Sequence, residues 1–180
     1  MHLNPYGADA VNLAADLANR PPRSAEELAD RCRAAGLLVE EPVTADDLDR
    51  VRAVLLAWEK VVDAGDERER AELLNRMLAA SAGHPRLTAH AGDGWHLHYR
   101  DDGQPLGAVL ASLIAVGTAL HLVGRGMHRL RRCADAGCAA VFADTSRTGR
   151  QRYCSHRCAN RDAVRRHRAA RADGNRPAPA

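Results

Sequence analysis

Four cysteines near the carboxyl end constrain this chain more than any other feature. Four residues separate Cys133 from Cys138, three separate Cys154 from Cys158, and fifteen lie between the two pairs. Two close thiol pairs joined by a hairpin-sized spacer are what a closed tetrahedral Zn²⁺ site needs. Each pair offers two ligands from one local turn, and the spacer folds the pairs together. Disulfides or unbound thiols are the competing readings. The placement of the second pair at a helix entrance and a reducing compartment favour one structural zinc ion held by Cys133, Cys138, Cys154 and Cys158.

The spacer is patterned to make that folding happen. Ala139 to Ala143 is a strand-like apolar run that contains Phe142, the only phenylalanine. Residues 144–149 are rich in turn formers. Arg150 to Tyr153 then alternates, with Arg150 and Arg152 on one face and Gln151 and Tyr153 on the other, as a half-buried second strand would. Ser155 is a ready N-cap, and no Gly or Pro follows until Gly174, so the second cysteine pair enters a helix. Knuckle, hairpin and helix in that order predict a treble-clef-like finger. At 100° per residue, Arg157, Arg161, Arg165 and Arg168 share an arc of roughly 80°, while Ala159, Ala163 and His167 lie on another side suited to packing on the hairpin.

The string RLRRCADAGCAAVFADTSRTGRQRYCSHRCANRDAVRRHRAARA, residues 129–171, resembles the CGNR zinc finger, a bacterial C-terminal module named for a Cys-Gly-Asn-Arg motif at its last ligand. Here the motif reads Cys158-Ala159-Asn160-Arg161, with alanine in place of glycine, which leaves the ligand count untouched. The opening LNPYGADAVNLAADLANR is similar to the ABATE domain that precedes such fingers. The resemblance implies a transcription regulator, and it implies that Asn160 makes a structural hydrogen bond near the ligand turn.

A length of 180 residues suits one medium domain with a small appendage. The appendage alone has too little core to fold, whereas structural Zn²⁺ contributes on the order of 10–16 kcal/mol in finger peptides. The net charge of +3 hides an asymmetry: residues 125–180 carry 14 Arg and 4 Asp, a net of +10, and residues 1–124 carry 12 basic and 19 acidic groups, a net of −7. Such a split points the basic end at a polyanion. Lys60 is the only lysine, so nearly all positive charge is guanidinium, which favours bidentate contacts to phosphate or guanine, although GC-rich codon usage gives the same bias. The first ten residues lack the pattern of a secretory signal, and the expected compartment is the cytoplasm.

Upstream of the finger the pattern is mainly helical. Residues 8–19 carry small apolar side chains at helical spacing before Pro21-Pro22. Ser24 with Glu27, Thr44 with Asp47, and Asp66 open three further helices that stop near Gly36, Gly65 and Gly83. Leu48, Val51, Val54, Leu55, Trp58 and Val62 form the apolar stripe of the middle one. Cys32 reads as a small buried side chain. Two short strands, 86–90 and 95–100, flank Gly92-Asp93-Gly94. The second sets Trp95, Leu97 and Tyr99 on one face and His96, His98 and Arg100 on the other. That His-x-His pair lacks a third metal ligand by local spacing, and an exposed polar face accounts for it equally well. Leu106 to Gly124 holds no charged residue, which raises a membrane span, but its small residues and His121 suit a buried central helix with Pro105 as its first residue.

The expected fold class is therefore α+β: a mainly helical domain over 1–124 with a small antiparallel sheet, a finger with a basic helix over 125–171, and a disordered tail at 172–180. The expected function is a zinc-dependent DNA-binding regulator. Arg147, Arg150, Arg152, Arg157, Arg161, Arg165 and Arg168 would contact double-stranded DNA, and the N-terminal domain would sense a ligand or partner or form a homodimer. The alternative is a protein-interaction or RNA-binding finger. Aromatic residues are 3% of the chain, which argues against a base-stacking RNA platform. Catalysis is not expected, because four thiolates leave zinc no open position, and neither His128 nor His167 has paired carboxylates beside it in sequence.

Overall fold

A computed structural model describes residues 7–39, 42–89 and 94–174. Helices α1 (Ala8–Asn19), α2 (Ala25–Ala34), α3 (Ala45–Asp63) and α4 (Glu67–Ser81) come first. Strands β1 (Arg86–Thr88) and β2 (His96–His98) pair antiparallel, with Leu87 opposite Leu97. Helix α5 (Leu106–Arg125) follows, then a 3₁₀ turn at Met127–Arg129, strands β3 (Leu130–Arg132) and β4 (Val141–Ala143), and helix α6 (His156–Gly174). The expected tail starts within α6, and residues beyond Gly174 lie outside the described ones, as do residues 1–6.

Helix α5 is the centre, packed against α1, α3 and α4. By length and composition it could cross a membrane, yet Leu110, Ile114, Ala115, Thr118 and His121 are each fully buried within the protein. An all-round apolar helix is what the middle of a bundle requires. Trp58 of α3 is also fully buried, and its indole N–H donates to Thr118 Oγ1 at 2.9 Å, which in turn donates to the Ile114 carbonyl at 2.6 Å. Trp58→Phe keeps most of the ring but leaves that hydroxyl without its donor. We expect a loss of about 1–3 kcal/mol in denaturant unfolding.

The helix signals in the sequence hold, with one refinement. Thr44 and Asp47 form a reciprocal capping box, and the Asp47 carboxylate also accepts from the Gly107 N–H of α5 at 2.7 Å. Burial would raise the Asp47 pKa, but the N–H donors of Gly107 and Thr44 hold it below the usual carboxylate range. One acid thus caps two helices, and Pro105 stands just outside α5 rather than as its first residue. A side chain at Gly107 would meet the Asp47 backbone at 3.0 Å, so any other residue there would push the two helices apart by a few tenths of an ångström. Gly7, in the opening motif, has φ +59°, and a Cβ on it would lie 2.0 Å from the Gly117 carbonyl oxygen of α5.

Among the described residues, His121 is the one fully buried histidine. Burial, with the charges of Arg125 and Arg129, pushes its pKa down, against the Arg129 backbone and Asp144, which raise it. The folded state therefore binds this proton less readily than the unfolded chain. Its contribution to stability is complete above the ordinary imidazole pKa of about 6.5 and is lost as the pH falls below it. Thermal melts at stepped pH should show a steeper acid-side fall for the native protein than for His121→Gln.

Two expectations about the sheets are corrected. The β1–β2 hairpin turns its apolar face outward: Leu87 is 70% and Trp95 77% exposed, while His96 and His98 are half-buried. A short sheet laid on a helix buries whichever face meets that helix. Here the contact is made from the histidine side, and the Tyr99 carbonyl accepts from the α5 residue Ser112 at 2.9 Å. In the finger, β4 pairs with β3 rather than with Arg150–Tyr153. The hairpin therefore carries the first cysteine pair at its tip instead of lying between the pairs. Arg150–Tyr153 is a loop, because Asp144 accepts from the Gln151 N–H at 3.0 Å and the Arg152 carbonyl accepts from the Ala134 N–H at 2.8 Å.

Candidate metal centre and basic surface

The finger is joined to the helical domain along one continuous core. Leu130, Val141 and Ala143 belong to the same buried cluster as the residues of α1, α3 and α5. The Asn19 amide, at the end of α1, both donates to and accepts from the backbone of Val141 at 2.8 Å. Arg132 makes a bidentate pair with Asp63 of α3, both contacts at 2.7 Å. Arg70 reaches from α4 to the Val61 and Val62 carbonyls at the end of α3 and to the Met127 carbonyl in the turn before the finger.

Cys133 follows β3 directly, and its N–H donates to the Ala140 carbonyl at 2.8 Å. The Cys138 N–H donates to the Asp135 carbonyl at 2.8 Å, which closes the knuckle. Cys154 leads into α6, where Ser155 is the N-cap and accepts from the Cys158 N–H at 3.3 Å. The four sulfurs come within 4.8 Å of one another, with Cys138–Cys154 at 3.7 Å and Cys154–Cys158 at 3.6 Å. Zn–S bonds of about 2.3 Å in a tetrahedron put sulfurs about 3.8 Å apart, so the cluster has the span of a zinc tetrahedron. All five cysteines are thiols, which excludes the disulfide reading.

The charge chemistry agrees. Burial and the neighbouring sulfurs push the Cys154 thiol up to about 12. Four sulfurs this close cannot all carry charge together unless a cation compensates them. The Cys154 N–H and Arg161 Nη2 point at the sulfurs of Cys133 and Cys158, at 3.4 and 3.5 Å, as donors that suit thiolates. Donor set and spacing therefore fit one structural zinc ion. Cys32, by contrast, is fully buried, and desolvation raises its thiol to about 11, so it is inert packing.

Three aspartates that the sequence reading passed over organise the finger. Asp135 is 1% exposed and pairs with Arg161 and with Arg165, the latter at 3.4 Å. Asp144 is fully buried and gathers the Ser146 and Gln151 N–H groups, both at 3.0 Å, with Arg129 beside it. Asp162 is 4% exposed, accepts from the Tyr153 hydroxyl at 2.7 Å, and pairs with Arg165 and Arg166. The signal was available: an acid amid so many arginines needs a reason to be there.

These pairings sort the seven arginines. Arg161 and Arg165 are turned onto buried carboxylates and fasten α6 to the knuckle. Arg147, Arg150, Arg152, Arg157 and Arg168 are exposed and have no carboxylate partner among the described residues. The helix face that packs inward is Cys158 and Asp162, whereas Ala163 and His167, expected there, are exposed. Asn160 is exposed and has no side-chain hydrogen bond among the described residues, so the structural role implied for it is not found. His128 and His156 face solvent. Arg150, Arg152, Thr148 and His156 line an open cleft of about 590 Å³ beside Cys154.

Comparison with known proteins gives two family matches. Residues 129–171 match the CGNR zinc finger model, and residues 11–126 match the ABATE model, described as "Putative stress-induced transcription regulator". The search of curated proteins found no match. With the ABATE match spanning more than half of its length and the finger match beginning three residues after it ends, this chain belongs to the ABATE family and carries a C-terminal CGNR zinc finger.

Proposed function

We propose that the protein is a zinc-dependent, non-catalytic transcription regulator that binds double-stranded DNA through the arginine surface of its finger. The observation that carries this reading is the fate of the finger's acids. Asp135, Asp144 and Asp162 are all buried and paired inside it, so its exterior is guanidinium with no described carboxylate to offset it. Phosphate backbones are the polyanions such a surface attracts. Arg150 and Arg152 flank the cleft at the start of α6. Arg157 and Arg168 lie within about 20° of one another around that helix, in a row that can follow a groove.

The metal's contribution is to hold Cys133, Cys138, Cys154 and Cys158 together, which keeps knuckle, loop and helix in one arrangement. With four sulfurs on it, zinc has no position left for a reacting water. Sensing falls to the helical domain. An open cleft of about 540 Å³ between α1 and α2 is lined by Asp16, Arg20, Glu27 and Arg31. Asn19, which holds β4, is the next residue before Arg20. A ligand or partner in that cleft is one α-helical residue from the strand that supports the finger. This reading places the protein in the cytoplasm, where it meets DNA.

Competition binding tests the proposal. Labelled duplex DNA should bind the zinc-loaded protein, be displaced by unlabelled duplex, and resist equal concentrations of structured RNA or an acidic peptide. Displacement by the peptide as readily as by duplex would make the finger a protein-interaction module instead.

A further inference from the structure

The inward-facing histidines of the β1–β2 hairpin make a second arrangement with metal-binding chemistry. His96 and His98 stand two residues apart on one strand face, and their Nε2 atoms converge to 3.2 Å. The ring planes are 63° apart with centroids at 4.9 Å, so the two Nε2 atoms are closer to one another than the ring centres are. On the other side of His96, Nδ1 lies 3.0 Å from the Gly94 carbonyl oxygen. A carbonyl only accepts, so Nδ1 carries the proton and the neutral ring presents a lone pair at Nε2. Behind His98, the Asp102 carboxylate lies 4.0 Å from Nδ1. Arg86 holds that carboxylate at 2.9 Å, so it faces His98 as a charge and not as a hydrogen-bond partner.

Distance and space fit an ion. Zn–N bonds of about 2.0–2.1 Å in a tetrahedron separate two nitrogens by about 3.3–3.4 Å, close to the observed value. The hairpin closes a small cavity of about 40 Å³ against Val109, Ser112 and Leu113 of α5, room for a cation with a coordinated water. Imidazole nitrogen is a ligand of choice for divalent zinc, copper and nickel. We propose that His96 and His98 are ligands of a second, exchangeable transition-metal site, weaker than the four-cysteine centre.

The alternative for the same geometry is a direct hydrogen bond, with His98 donating from Nε2 to His96, and experiment separates the two. The intact protein is loaded with zinc, freed of loosely held metal by dialysis, and then titrated with Zn²⁺ against a chromophoric chelator at neutral pH. One retained equivalent and one further reversible equivalent are expected. His96→Gln and His98→Gln should each abolish the reversible equivalent and leave the retained one. A second readout does not depend on variants: paramagnetic Ni²⁺ added to the zinc-loaded native protein should broaden the imidazole signals of His96 and His98 before those of other histidines. Failure to take up the reversible equivalent, its survival in both glutamine variants, or broadening that spares this pair would overturn the proposal.

Discussion

Stripping the zinc is expected to unfold residues 129–171 while α1 to α5 remain helical, and to lower the melting temperature of what remains. The metal's folding contribution, on the order of 10–16 kcal/mol in finger peptides, is as large as the whole stability of a typical domain, about 5–15 kcal/mol. Nothing else in the finger replaces it. Its two strands are three residues each, and of its buried apolar side chains Leu130, Val141 and Ala143 complete the core of the helical domain, which leaves Phe142 as the one large buried apolar side chain of the finger outside that shared cluster. That sharing is why the damage spreads. Once the cysteines separate, β4 has no reason to stay against α1, and the Asn19 and Arg132 clasps lose their partners or their geometry. Limited proteolysis of the chelated, reduced protein should cut first within 129–171, far-UV circular dichroism should keep most of its helical signal, and the thermal midpoint should drop. Cys158→Ser should reproduce all three without chelator. A chelated protein that resists protease in the finger as well as the native one does would show that the apolar junction alone holds the segment.

Most helices and the ligand set were legible in the sequence because their signals are local. A capping residue, a 3.6-residue stripe and a glycine stop lie within one short window, and two close cysteine pairs announce their metal by spacing alone. What escaped depends on distant partners. Arg150–Tyr153 alternates like a strand, but Asp144 takes the Gln151 N–H and the chain closes β4 onto β3 instead. Trp95 and Leu97 look like a core face, yet the hairpin rests on α5 through its histidines, and periodicity cannot say which face of a short strand meets the bundle. The arginine stripe on α6 follows from helical geometry, but geometry does not say which arginines are already engaged. Asp135 lies 26 and 30 positions before its two partners, and only the folded knuckle brings them together. The same blindness applies to Asp47, whose second cap is α5.

That sorting of the arginines leads to the other large effect, on nucleic-acid affinity. If Arg147, Arg150, Arg152, Arg157 and Arg168 each neutralise one phosphate of duplex DNA, log affinity should fall with log salt at a slope of about −4.5. Between 50 and 200 mM salt that amounts to a loss of about 500-fold. Removing two contacts, as in the double variant Arg150→Ala with Arg152→Ala, should flatten the slope by about 2 without disturbing zinc retention or the thermal midpoint, because neither side chain is paired with a described carboxylate. Arg161→Ala should behave in the opposite way. It deprives buried Asp135 of its principal partner and removes a donor to the Cys158 sulfur, so the finger should melt earlier and release zinc more readily, while protein kept folded at low temperature and excess zinc retains nearly the native salt slope. Fluorescence anisotropy at four or five salt concentrations, run beside thermal melts of the same samples, distinguishes a contact from a clasp. A slope near zero in the native protein would remove the phosphate contacts altogether, whereas one that drops with Arg161→Ala and not with the double variant would reverse the assignment of the two groups: the guanidinium ions turned inward onto Asp135 would then be the ones that swing out to meet the phosphates.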